Sequence, residues 1–349
     1  MNKMYMALLG AGAMAAASVA VGCSSSANKQ AETQEPAPEK IVVAYVTGWS
    51  QCMPDPNLMT HINFAFGHVA ETFDSVRIAN AGRLDSIVAL RAENPDLKIV
   101  LSIGGWGSGN FSEMAADSVL RKKFAADCAK KVAQHNLDGI DIDWEYPTKG
   151  EGAKISYSPD DTKNYTLMMR DLRDALGPDK LLTLATVWTG QFIDFKDIMP
   201  YINYVNIMSY DMSSASTGRP HNPLYASAAS GDRTVDSAYH AHLAAGIPAD
   251  KLVLGLPFYG RGTGVYPDYV DYKDTKLLPG TVQVWDSIAK INYMADSVTG
   301  KILMGFEDER SLAYKLHYIN ENHLLGAMYW EYCADNGTLA KQVADSILH

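Results

Sequence analysis

Asp141, Asp143 and Glu145 alternate with Ile142 and Trp144 in the run Asp138-Gly-Ile-Asp-Ile-Asp-Trp-Glu-Tyr146. Successive side chains of a strand point to opposite faces, so these three acids share one face. Crowded carboxylates repel each other when ionised, which raises the pKa of at least one. The run is therefore a candidate set for acid and base work. A solvated edge strand would also tolerate acids, but Leu137, Gly139, Ile140 and Ile142 make the flanks apolar. Asp138 has the other parity and reads as a structural residue at the strand start. Cleavage of a glycosidic bond needs an acid for the leaving oxygen and usually a second carboxylate near the anomeric carbon. Acids two residues apart on one strand lie about 7 Å apart and approach a sugar from a similar side. A protein nucleophile would attack from the opposite face. This favours a nucleophile from elsewhere, the substrate being the simplest source.

The elements that must hold such a run are visible as alternating patterns. Strand-like segments fall at 41–48, 61–68, 98–105, 139–145, 181–188, 204–210, 251–257 and 325–331. Helical patterns fall at 83–93, 117–136, 160–176, 234–245, 310–320 and 338–348. The clearest is 117–136, where Leu120, Phe124, Cys128 and Val132 recur at i+4 spacing. Strands alternating with helices in this number predict an α/β fold, a closed (β/α)8 TIM barrel, whose catalytic residues sit at the C-terminal ends of strands. Glu145 lies there, and Pro147 cannot continue a central strand. The stretch from Gly260 to Asp308 is long for a connection, so a small insertion is expected at about 262–305, between the seventh and eighth strands.

The chain has 349 residues, 47% of them hydrophobic, and a formal net charge of -10. The composition suits a globular protein. The charge argues against nucleic acid and anionic membrane surfaces as partners. Residues 1–22 read as a signal peptide, with Lys3 ahead of an apolar run from Met4 to Gly22. Gly22-Cys23 resembles the lipobox of bacterial lipoproteins, which implies lipidation at Cys23. Ala20 departs from that pattern, and cleavage after Ala20 is the alternative. Residues 23–39 read as a lipid-anchored flexible linker, and 40–349 as the catalytic domain. The protein is thus expected to be exported and membrane-anchored, touching the membrane by its lipid only. Cys52, Cys128 and Cys333 imply no disulfide framework. His240 and His242 face apart on a helix and cannot share a metal, so no metal is expected.

The run from Asp138 to Glu145 fits the DxxDxDxE signature of family 18 glycoside hydrolases, the chitinase family. Other segments resemble the family in the same order. They are Ser102-Ile-Gly-Gly-Trp106, Asn206-Ile-Met-Ser-Tyr-Asp211, Thr217–Tyr225, Leu254–Arg261 and Gly326-Ala-Met-Tyr-Trp330. The resemblance implies hydrolysis of β-1,4-linked N-acetylglucosamine polymers such as chitin, with retention and no cofactor. Glu145 would be the general acid and then the base. Asp143 would hold the substrate's 2-acetamido N–H, Asp141 would share a proton with Asp143, and Tyr210 would donate to the acetamido oxygen. Tyr45, Ser102, Trp106, Tyr146, Met208, Asp211, Arg261 and Trp330 match substrate-binding positions, with Trp330 flooring the cleaved subsite and Trp106 on the leaving-group side. Gly104 and Gly105 suit a close approach of substrate or backbone. Trp188 divides between cleft and packing, and Trp285 in the insertion reads as a packing residue. An endo-β-N-acetylglucosaminidase acting on the chitobiose core of N-glycans is the nearest alternative. A non-catalytic chitin-binding lectin is the alternative of another class, opposed by the presence of Glu145. A monomer is expected.

Overall fold

The computed structural model describes residues 39–349. The signal peptide, Cys23 and nearly all of the linker lie outside the described residues. Eight parallel strands close on themselves. In order they are Ile41–Thr47, His61–Val69, Lys98–Gly104, Gly139–Asp143, Leu181–Val187, Val205–Met208, Leu252–Pro257 and Gly326–Trp330. The first strand pairs with the second (Val43 opposite His61) and with the eighth (Ile41 opposite Gly326), which completes the barrel. Most strand positions are buried, because helices cover the outside and side chains fill the inside. A short strand, Val76–Ile78, pairs antiparallel with the end of the second and carries that wall upward.

Helices start where side chains can satisfy their first N–H groups. Asp117 accepts from Val119 and Leu120 ahead of Ser118–Gln134. Thr234 and Ser237 cap each other's backbone at Val235–Ala244, and Asp308 and Ser311 do so at Glu309–Glu321. Asp161–Leu176 ends at Gly177, whose φ of 76° suits glycine. The pattern at 83–93 divides into a helix, Ala81–Val88, and a tighter turn, Ala89–Ala92. The short helix Phe111–Ala116 was not foreseen; it buries four of its six residues and has no polar stripe to mark a period.

The expected insertion is present as a five-stranded antiparallel sheet spanning Tyr259 to Phe306. Backbone bonds from Leu224 and Tyr225 to the Ala289 carbonyl tie it to the loop after the sixth strand. Trp285 differs from the packing role expected of it. It is half-buried on the surface, with the Arg310 guanidinium 3.9 Å from its ring centre and Tyr314 stacked at 5.8 Å. Among the described residues no helix is long and apolar enough to cross a membrane.

The sequence reading of the cysteines is corrected. Cys52 and Cys333 form a disulfide across 281 positions, leaving Cys128 buried and free. They follow the first and eighth strands, which become neighbours only when the barrel closes. A crosslink over so long a loop removes much unfolded-state entropy. Replacing both cysteines by serine is expected to cost about 2–4 kcal/mol. Calorimetry should show a melting temperature several degrees lower; an unchanged one would remove the crosslink from the stability account.

Candidate active site

The fourth strand keeps the alternation read from its sequence. Trp144 points outward and stacks between Phe111 (5.2 Å) and Tyr165 (5.9 Å) of the covering helices. Asp141 and Asp143 are buried, with no exposure and 4% respectively. Glu145 lies just past the strand's last paired residues, at the C-terminal mouth. Asp138 is indeed structural: it pairs with Arg91 and accepts the Ile99 N–H at 2.6 Å.

The mouth opens into a cleft of about 1040 Å³. Asp143, Glu145, Tyr146, Tyr45, Trp106, Met208, Tyr210, Asp211, Arg261 and Trp330 all line it, as does Trp188. Ser102 is a correction. It is fully buried below the cleft, where substrate does not reach, and donates to Asp141 at 2.8 Å. Tyr45 serves both settings, since it borders the cleft while its hydroxyl donates to Asp141 at 2.7 Å. Thr183 (2.7 Å) and Asn206 (3.3 Å) complete four donors on that carboxylate.

The acids differ sharply in environment. Burial pushes Asp141 upward, but its four donors favour the charged form and pull back. Asp143 has no such relief, because burial, Glu145 and Asp141 all push it well above the usual carboxylate range. Its Oδ1 is buried and has no hydrogen-bond partner among the described residues. Burial brings Glu145 up to about 7; the Tyr146 hydroxyl opposes this, and the Asp211 charge adds to it. For Asp211 burial would act upward, but Arg261, with His221, holds its carboxyl far below the usual range. The Arg261 contacts are 2.7 and 2.6 Å, one to each oxygen. Burial and the nearby acids push the Tyr210 phenol well up, so it stays a hydroxyl donor. Burial thus pushes all three carboxyls upward, offset at Asp141 by its four donors, and protons are retained on the Asp143–Glu145 pair.

Two glycines make this row possible. A Cβ on Gly104, at φ 130°, would lie 2.0 Å from the Asp143 carbonyl, and one on Gly105 would strike the Phe66 ring at 2.5 Å. They let the third strand run against the fourth while Phe66 slides beneath the mouth. Phe66 stacks on Trp330 at 5.5 Å, and Trp49 joins at 6.4 Å from Trp330. Sequence reasoning missed Trp49, Phe66, Tyr259 and Tyr269 as cleft walls, and Thr183, Asn206 and His221 as supports. Trp49 was findable, since it follows the first strand as Trp330 ends the eighth. The supports were not, since an inward Thr or Asn has no special spacing.

A closed parallel barrel with acids at its strand ends, under an aromatic cleft, has the layout of a barrel glycosidase. The family model "Glycosyl hydrolases family 18" matches residues 41–335, and the chain belongs to that family. It is 31% identical to chitinase A1 of Niallia circulans over 352 aligned positions, covering 87% of this chain and 49% of that one. It is 27% identical to chitinase ChiA of Flavobacterium johnsoniae, covering 86% of this chain and 27% of that one. The chain therefore spans about half the length of the first and about a quarter of the second. A solved family 18 N-acetylglucosaminidase from Paenibacillus barengoltzii superposes with a TM-score of 0.79 at 31% identity, covering 88% of this chain and all of that one.

The raised Glu145 has a cost. In the unfolded chain a Glu titrates near about 4.3. Below that both states are protonated and nothing is lost. Between about pH 4 and 7 the unfolded state ionises while the folded state resists, and above 7 the full cost applies. Glu145→Gln is expected to stabilise the protein by up to about 3 kcal/mol at pH 8 and not at pH 4. Melting curves at both values check this; a gain independent of pH would contradict it.

Proposed function

We propose that the protein hydrolyses β-1,4-linked N-acetylglucosamine polymers or oligomers, chitin among them, by a retaining, substrate-assisted route. The observation that carries this reading is the row Asp141, Asp143 and Glu145 on one strand face beneath the cleft. Glu145, protonated up to about pH 7, donates to the glycosidic oxygen as the bond breaks. The Asp143 carboxyl, with its open Oδ1, accepts the 2-acetamido N–H and turns the acetamido oxygen toward the anomeric carbon. Tyr210 donates to that oxygen. Attack by this oxygen expels the leaving sugar and gives a cationic oxazolinium, stabilised by negative charge shared with a proton across the Asp141–Asp143 pair. Glu145, now ionised, takes a proton from water, which opens the ring with net retention. Asp141 acts from below, its carboxyl held in place by Tyr45, Ser102, Thr183 and Asn206.

The aromatic walls suit sugar rings, whose C–H faces pack on flat π surfaces. Likeness to proteins named chitinases and to a solved N-acetylglucosaminidase supports polymer and short oligomers alike as substrates. The Cys52–Cys333 disulfide supports an oxidising compartment, in keeping with the export and Cys23 anchor that the leader suggests.

The test is product analysis with chitin oligosaccharides and, separately, a high-mannose glycoprotein. Chitin oligomers are expected to be cleaved, with activity falling as pH rises through about 7. Glu145→Gln is expected to lower kcat by about 10²–10⁴-fold while oligosaccharide binding survives. Release of intact N-glycans without chitin cleavage would instead favour the endo-β-N-acetylglucosaminidase reading. Full activity in the Gln variant would remove Glu145 from its role.

A further inference from the structure

Arg261, one of the cleft's cations, is committed: it grips Asp211 with two bonds and reaches Asp268 at 3.1 Å. Arg233 is not. Its guanidinium carbon lies 5.9 Å from the Trp188 ring centre, and one N–H group is used on the Met212 carbonyl at 3.2 Å. Among the described residues it has no ion-pair partner, although it lines the cleft. An unneutralised guanidinium group in the cleft stands out in a chain of net charge -10.

The position in the barrel says which part of a substrate Arg233 meets. Trp188 follows the fifth strand and Met212 the sixth, across the mouth from Trp330 on the eighth. That is the half that also carries Trp106 and Tyr146. An arginine over a tryptophan ring has donors to spare, and its planar fork matches a carboxylate.

We propose that the Trp188–Arg233 shelf is a leaving-group subsite for a sugar bearing a carboxylate. The substrate class would be a β-1,4-linked acetamido-sugar chain in which the sugar before the cut is plain N-acetylglucosamine and the sugar after it carries an acidic ether. The plain sugar retains the 2-acetamido group that the chemistry uses. The proposal rests on the hydrolase reading above, and the experiment separates the two. The full chain and its Arg233→Gln variant are assayed on three tetrasaccharides. One is the neutral N-acetylglucosamine tetramer. The second alternates N-acetylglucosamine with its 3-O-lactyl ether as the free acid. The third is the methyl ester of the second, equal in size and uncharged.

Wild-type kcat/KM is expected to be about tenfold higher on the free acid than on the ester, the range of a partly screened charged hydrogen bond. Arg233→Gln is expected to abolish that preference while changing the neutral tetramer by less than about twofold. Wild-type protein that treats acid and ester alike would overturn the proposal and leave the hydrolase reading standing. Equal loss on all three substrates in the variant would do the same. Failure to cleave even the neutral tetramer would sink the hydrolase reading and this proposal with it.

Discussion

The site depends on burying three carboxylates along one strand without ionising all of them. Each buried charge must find donors or keep its proton. Asp141 takes the first course, with Tyr45, Ser102, Thr183 and Asn206 drawn from the first, third, fifth and sixth strands. Asp143 and Glu145 take the second. Only a closed barrel brings four other strands within reach of one side chain, so closure and electrostatics are a single requirement. The same arrangement leaves the mouth able to give a proton at one end and stabilise a cation beside it.

Closure also shapes the cleft. The first and eighth strands meet only because the sheet is continuous, and their meeting sets Trp49 beside Trp330 and Cys52 beside Cys333. The antiparallel insertion adds the wall that carries Arg261. That arginine fixes Asp211, whose persistent charge helps keep Glu145 protonated. Charge at the mouth is therefore held in place by an element outside the eight strands.

The strand alternation and the acids were legible because period-two spacing is local. The outward Trp144 and inward Asp143 follow from it directly. The barrel was legible from repeated strand and helix patterns, and the insertion from an overlong connection. What escaped the sequence depended on neighbours distant in the chain. The disulfide pairs residues that only closure joins, and Thr183 and Asn206 matter solely because Asp141 faces them. Ser102 was placed at the correct end of the correct strand but one layer too high, since sequence order gives no depth. Trp285 read as core because tryptophans usually are, yet Arg310 and Tyr314 hold it at the surface.

The central claim is that the substrate's acetamido oxygen, and no carboxylate of the chain, attacks the anomeric carbon. The most direct measurement compares two chitotriose-type substrates with the same good leaving group. One keeps its acetamido at the sugar being cleaved, and the other has a hydroxyl there. The account predicts turnover of the first and, for the second, a kcat lower by about 10³-fold or more, a fraction of what a well-oriented internal nucleophile can supply. Comparable kcat values on both would contradict it and require a nucleophile from the protein.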